Sequence, residues 1–352
     1  MNKFLKKRIN INHLILLISI LFLWILFSFC SKVPDFENYA LVFRRLSWGD
    51  SYHSMETGYW LLCKAAYAIG LDINGFRKIY GLVGLSLMAS TAVRYTKKPY
   101  YVLSLYLLYP FLLDVVQIRH FMACSIIVFG IRYLEYFETK NFAKYCLCVC
   151  LAMSQHTIAL AYSAFLFVYL KNLKTIMKIV IPTAAGFLFL GKMLMRSTLY
   201  RSLLDYRGIE DAYMDGIAIR QFLLYMVFFA LLSFLCYYLW KIGKTKSFWT
   251  DALAEERTNA IFKICMISIV YIPLVLIDFQ LTRLFRGCVF IMEVFIIRQL
   301  ENIYALDRFL MKIIVFAIFL FVFVKLFGPT SVHYESLTIP VFWGNNFLDV
   351  LF

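Results

Sequence analysis

LILLISILFLWILFSFC, residues Leu14–Cys30, runs for seventeen residues without a charge. A bilayer crossing takes about 20 apolar residues in an α-helix. The run is continuous and rich in Leu, Ile and Phe. A lipid-facing barrel strand would alternate apolar with polar residues instead. In lipid every backbone polar group must be satisfied within the protein, so a continuous run of this kind reads as a helix. Met1–Arg8 before it is basic. Cys30-Ser31-Lys32-Val33-Pro34 after it lacks a small-x-small cleavage pattern. The run therefore reads as an uncleaved first span that also directs insertion.

The same reading extends along the chain of 352 residues. Hydrophobic residues make up 62% and charged residues only 16%, with a mean hydropathy of +0.74. Soluble domains carry roughly 45–50% apolar and about 25% charged residues. Too little polar surface remains to coat a globule, and the lipid bilayer is the solvent that suits this composition. Further candidate spans are Ile79–Val93, Tyr100–Gln117, Ile118–Phe137, Met177–Leu194, Ala218–Trp240, Ala260–Ile277, Leu284–Gln299 and Phe309–Phe327. The expected fold is an all-α polytopic transmembrane bundle of about 10–12 membrane helices, some short, broken or re-entrant. It forms one integral membrane domain over residues 1–352.

Two stretches fit less simply. Gly58–Ile73 is apolar but interrupted by Lys64, and Tyr145–Leu170 is interrupted by Ser154-Gln155-His156. The excess of Lys and Arg on cytoplasmic loops arbitrates. With Met1–Arg8 inside, Gly58–Ile73 as a non-crossing interfacial helix and Tyr145–Leu170 as a hairpin turning at His156, every Lys-rich loop falls inside. These are Arg94–Lys98, Lys140–Lys144, Lys171–Lys178, Lys241–Arg257 and Arg298–Lys312. Residues 31–78, 195–217 and the tail 328–352 fall outside.

That topology sorts the cations unequally. The inner side holds fifteen lysines and six arginines, and the outer side five lysines and ten arginines. Topology needs only positive charge, so an outer excess of arginine asks for another cause. Arg offers a planar fork of donors that grips phosphate or carboxylate two bonds at a time, and it stays charged. The outer set is Arg44, Arg45, Arg77, Arg119, Arg196, Arg201, Arg207, Arg220, Arg283 and Arg286. The net charge of +15 does not point to nucleic acid, because the cations are scattered over short loops. Nine cysteines lie mostly inside apolar runs. Cys146, Cys148 and Cys150 turn by about 200° from one to the next on a helix, so they cannot share a metal. No carboxylate pair stands at a ligand spacing either, and no metal or cofactor is expected.

Several clusters could carry chemistry. The first outer loop places Asp35, Tyr39, Arg44, Arg45 and Glu56 within a short stretch. Arg119 opens a span, with Asp114 near enough in sequence to pair with it. Arg283, Arg286 and Glu293 share one helix face and could form an internal salt bridge. His156 interrupts an apolar run, and its ordinary pKa suits proton transfer.

Asp35-x-x-x-Tyr39, Glu56-x-Gly58-Tyr59, Ile118-Arg119 followed by Ala123, and His156-x-x-Ala159-Leu160, in this order, resemble the EpsG family, which groups with Wzy-type polysaccharide polymerases. Thr57 stands where that family commonly has Pro, and His120 where it commonly has Gln. The resemblance implies polymerisation of undecaprenyl-pyrophosphate-linked oligosaccharide repeat units at the outer face of a bacterial cytoplasmic membrane. The pathway expected is O-antigen, capsule or exopolysaccharide synthesis, with a chain-length regulator as a further partner. Departing pyrophosphate gathers negative charge, for which Arg119, Arg283 and Arg286 are the first candidates and Arg44, Arg45 and Arg77 the next. Asp35, Glu56 or His156 could take the acceptor hydroxyl's proton. Tyr39, Tyr59 and His120 stand inside the motifs and are expected to contact substrate. Another lipid-linked glycan transferase, such as an O-antigen ligase, would use arginine in the same way. A flippase or transporter would usually show repeated broken helices in both halves.

Overall fold

The computed structural model describes residues 11–49, 55–170, 172–195, 219–245, 252–276, 279–303 and 305–347. Among the described residues all regular structure is helical. Among the described residues five helices are long and apolar enough to cross a bilayer, and shorter apolar helices pack with them. The chain is a multi-pass membrane protein.

Helix α1 (Ile11–Ser28) leads to two surface helices, α2 (Phe36–Ser47) and α3 (Thr57–Ala68). Twelve residues of α-helix reach about 18 Å, well short of a hydrocarbon core of about 30 Å. Helix α3 covers most of the stretch Gly58–Ile73 that was set apart from the spans. Gly70, at φ 81°, turns the chain into α4 (Ile73–Tyr95). Buried rings of Tyr39, Tyr59, Phe76 and Tyr80 pack edge to face or tilted and fix α2 and α3 on the end of α4.

The expected span Tyr100–Gln117 is divided. Helix α5 (Pro99–Leu108) stops before Pro110, and α6 (Phe111–Val116) follows in a new direction. Pro110 has no N–H and its ring would collide with the carbonyl four residues back, so one continuous helix cannot form there. Helix α7 (Ile118–Gly130) then runs the other way, extended by a 3-10 turn at Ile131–Leu134.

The hairpin expected at His156 is present. Helix α8 (Thr139–Gln155) ends there, and the chain returns as a 3-10 helix, Thr157–Tyr169. The Tyr145 hydroxyl donates to the Tyr162 carbonyl at 2.8 Å, and the Phe137 and Phe142 rings meet Tyr169. A 3-10 helix rises about 2.0 Å per residue, so thirteen residues cover about 26 Å where α-helix would cover about 20 Å. The tighter helix lets a short segment traverse most of the bilayer.

Helices α9 (Leu173–Met195), α10 (Ile219–Thr245), α11 (Ala252–Ile267), α12 (Arg283–Leu300) and α13 (Ala305–Phe327) complete the bundle. Helix α12 is its central pillar: between Leu284 and Leu300 only Arg298 is not buried. A helix buried on every side belongs inside other helices, and this one takes Arg286, Glu293 and Gln299 in with it. The expected outer loop 195–217, with Arg196, Arg201 and Arg207, lies almost wholly outside the described residues. The tail is docked: α14 (Ile339–Phe342) and the residues after it return to α1, where the Asn346 N–H donates to the Phe29 carbonyl at 2.9 Å.

Cations collect at one end of the bundle. Glu135, itself buried, accepts from Arg94 at 2.7 and 2.9 Å, from Arg257 at 3.0 Å and from the Tyr95 hydroxyl at 2.6 Å. Glu301 accepts from the backbone N–H groups of Lys97 and Lys98. Three of the Lys-rich loops therefore meet on carboxylates. Removing one partner of a buried ion pair costs about 3–5 kcal/mol, because the other charge stays desolvated. Glu135→Ala is expected to lower the thermal unfolding midpoint of the detergent-purified protein by several degrees. Arg94→Ala, which leaves Glu135 its Arg257 and Tyr95 partners, is expected to lower it less.

Candidate functional site

The opposite end of the bundle is where the chain's helix ends converge. Glu56 stands at the start of α3 and points back toward the bundle. One of its carboxylate oxygens is paired with the Arg119 guanidinium. The other accepts from the Thr157 N–H at 3.2 Å and lies 3.8 Å from His156 Nδ1. A single side chain thus ties the surface helices to α7 and to the hairpin tip. Gly58 allows the approach, because a Cβ there would collide with Ser154 and Gln155. The Arg119 guanidinium also lies 5.7 Å from the Tyr59 ring centre, a buried cation–π contact.

His156 adopts an extended backbone between α8 and the 3-10 helix, so its ring projects from a break rather than lying along a helix. Its Nε2 faces Arg283 Nη1 at 3.4 Å. Its Nδ1 accepts from the Ile158 N–H at 3.4 Å and so caps the 3-10 helix that follows. The His120 ring stands edge-on to it at 5.4 Å, and His120 Nε2 meets the Arg283 carbonyl at 2.9 Å.

These residues surround a cavity of about 370 Å³. Asp35, Asn38, Tyr39 and Met55 form its surface side, Gln117, Arg119 and His120 come from the start of α7, His156 from the hairpin, and Gln280 and Arg283 from the approach to α12. Burial pushes the Asp35 carboxyl above its ordinary range, and Arg283, Arg119 and Arg286 pull in the opposite direction without cancelling it. Two fixed cations, an acid in a desolvated position and the N-terminal end of α7 therefore share one wall-to-wall space. Helix N-termini favour anions.

Asp35, Tyr39, Arg119, His120, His156 and Arg283 are thus brought together, with Glu56 and Tyr59 directly behind Arg119. The other expected residues stand elsewhere. Arg286 lies one turn deeper along α12, donating to the Leu113 carbonyl at 3.2 Å and paired with Asp114 at 3.4 Å. Arg77 is fully buried, with its guanidinium donating to the Phe27 and Val115 carbonyls, both at 2.8 Å. It staples α1, α4 and α6 and does not line the cavity. Arg44 is exposed and paired with Glu37, and Arg45 also lies away from the cavity wall. Two expected pairings are corrected. Asp114 meets Arg286 and the Tyr106 hydroxyl rather than Arg119, because the break at Pro110 turns α6 inward. The stripe along α12 is not closed by Glu293, whose carboxylate oxygens have no hydrogen-bond partner. Among the described residues no group of three or more His, Cys, Asp or Glu side chains could hold a metal ion. Asn38, Met55, Gln117 and Gln280 were not singled out by sequence; they carry no charge, and the only signal was their place beside Tyr39, Glu56, Arg119 and Arg283.

Fold and site define a multi-pass membrane protein with a cationic cavity built from broken helix ends. The EpsG family model matches residues 13–339, and the chain belongs to that family, whose members are Wzy-like polysaccharide polymerases and related glycosyltransferase-like membrane proteins. No curated protein and no solved structure matches the chain.

The Glu56–Arg119 pair is partly buried, and residues in one such network couple by about 0.5–3 kcal/mol. A double-mutant cycle of Glu56→Gln and Arg119→Gln, read from thermal unfolding in detergent, is expected to be non-additive. The double variant should be less destabilised than the sum of the singles. Additive effects would show that the pair contributes no coupling.

Proposed function

We propose that this chain is a polysaccharide polymerase that joins undecaprenyl-pyrophosphate-linked oligosaccharide repeat units at the outer face of a bacterial cytoplasmic membrane. The observation that carries the proposal is the meeting of Arg119 and Arg283 with the Asp35 carboxylate in one cavity. Membership of the EpsG family supports a polysaccharide polymerase-type role. The lysine-rich opposite end supports an N-terminus in the cytoplasm and a cavity facing outward, by the positive-inside rule.

The reaction has one bond made and one broken. The acceptor sugar's hydroxyl oxygen attacks the anomeric carbon of the donor's first sugar. The bond from that carbon to pyrophosphate breaks, and undecaprenyl pyrophosphate leaves with the electron pair. The hydroxyl proton passes to a base. Asp35 suits that role best: it lines the cavity, and its raised pKa makes it a stronger base than an ordinary carboxylate. Glu56 is engaged by Arg119 and the hairpin backbone and so holds the clamp in place. Arg119 and Arg283 meet the charge that develops on the departing pyrophosphate. Removing one preorganised donor of that kind costs about 2.7–4 kcal/mol, or about 10²–10³ in rate.

In a strain lacking the protein, long glycan ladders are expected to collapse to single repeat units, and Arg119→Ala is expected not to restore them although it reaches the membrane. Intact long chains stranded on the lipid carrier would instead indicate a ligase, and lipid-linked units accumulating on the cytoplasmic side a flippase. The base makes a second prediction. Only deprotonated Asp35 accepts a proton, so activity should fall as pH drops through its pKa, at a higher pH than an unshifted carboxylate would give. In rate measurements on purified protein, Asp35→Asn is expected to lose most activity and this acid limb with it. An unchanged pH profile in Asp35→Asn would assign the base to another residue.

A further inference from the structure

Two residues of the cavity wall carry buried hydrogen-bond acceptors without a donor. Gln117 Oε1 and His120 Nδ1 are both buried and neither meets a hydrogen-bond partner. They lie three residues apart at the start of α7, on either side of Arg119, and both residues line the cavity. The His120 tautomer follows from its other edge. Nε2 faces the Arg283 carbonyl at 2.9 Å, and a carbonyl can only accept, so Nε2 carries the proton. Nδ1 is therefore a bare lone pair, on a ring with no solvent exposure. Cys124 Sγ, 3.1 Å from Nε2, helps hold the ring in that orientation.

Buried acceptors without donors cost free energy, and sites built around them select ligands that bring the missing donor. Pyrophosphate at neutral pH presents oxygen acceptors, which suit Arg119 and Arg283 and leave His120 Nδ1 and, in the orientation its amide takes, Gln117 Oε1 unanswered. A sugar ring next to the pyrophosphate brings O–H groups, and an N-acetylated sugar also brings an N–H. Resting on the polymerase reading above, we propose that Gln117 and His120 read the sugar directly attached to the pyrophosphate by accepting hydrogen bonds from its O–H or N–H groups. They are specificity-determining residues. The arginines hold the charge that every lipid-linked donor shares, and the two acceptors tell a glycosylated pyrophosphate from a bare one. Their placement either side of Arg119 sets the sugar against the clamp, so that the anomeric bond to be broken lies between them.

The test is direct binding to the full-length protein in nanodiscs, with three probes: undecaprenyl pyrophosphate, and the same lipid carrying a hexose or an N-acetylhexosamine on its pyrophosphate. The wild type is expected to bind at least one glycosylated probe about tenfold more tightly than the bare one, the scale of one well-placed hydrogen bond to a buried group. Gln117→Met and His120→Phe are expected to bring that ratio toward one, and Arg119→Ala to weaken all three probes together. Measurable binding of the bare probe shows that each variant is folded. A preference for the N-acetylhexosamine alone assigns the N–H as the donor, and a preference for both sugars assigns a hydroxyl. Equal binding of all three probes by the wild type, or a preference that survives both substitutions, overturns the sugar-reading role and leaves the pyrophosphate clamp standing. Failure of the wild type to bind any probe overturns the polymerase reading and this inference with it.

Discussion

The Glu56 carboxylate is the joint on which the site depends. Its two oxygens reach Arg119 at the start of α7 and the backbone of Thr157 at the start of the 3-10 helix, with His156 close by. Helix α3 is too short to cross the bilayer, so this contact and the aromatic packing beneath it decide where the surface layer sits. Together they set Asp35 and Tyr39 on the surface side against Arg119 and Arg283 on the bundle side. A partly buried carboxylate is costly unless its lone pairs are used. Here they are used by α7 and by the backbone of the 3-10 helix.

The same physics explains how the bundle tolerates its other charges. Broken helices leave backbone carbonyls without intrahelical donors. Where α6 ends, the Val115 carbonyl accepts from Arg77. The Leu113 carbonyl accepts from the Gln117 N–H at 3.1 Å and from Arg286 as well. Backbone carbonyls at the end of α6 thus hold two arginines that would be prohibitive in lipid alone. At the lysine-rich end Glu135 performs the corresponding task for Arg94 and Arg257. The bundle therefore carries a structural set of arginines and a separate set, Arg119 and Arg283, whose guanidinium groups border open space.

Much of this was legible in the residues, and the limits have physical causes. Long apolar runs revealed α1, α10 and α13 because lipid imposes length and hydropathy directly. The turn at His156 was legible because a polar triplet interrupts an otherwise apolar stretch. Asp35, Arg119, His156 and Arg283 were singled out from charge and position, and they do converge. Partnerships were harder. Arg119 and Glu56 lie 63 positions apart in the chain, and nothing local signals their pairing. Asp114 looked like Arg119's partner because sequence proximity ignores the change of direction at Pro110. Arg77 looked like a substrate ligand because a charge near a span's outer end is read as exposed, whereas its two carbonyl acceptors come from α1 and α6. Uncharged wall residues such as Asn38 and Gln280 leave no compositional trace at all.

At one end of the bundle carboxylates tie arginines and backbone N–H groups together, and the other end keeps two cations, an acid and the amino end of a helix around a cavity. Chemistry on a pyrophosphate-linked sugar uses each of these. The most direct measurement is product analysis with purified protein reconstituted in vesicles and supplied with a lipid-linked repeat unit. The account predicts one undecaprenyl pyrophosphate released for each new glycosidic bond, with dimers and longer chains still attached to the remaining lipid. Transfer of intact lipid-linked units across the bilayer, with no pyrophosphate lipid released and no chain growth, would contradict it.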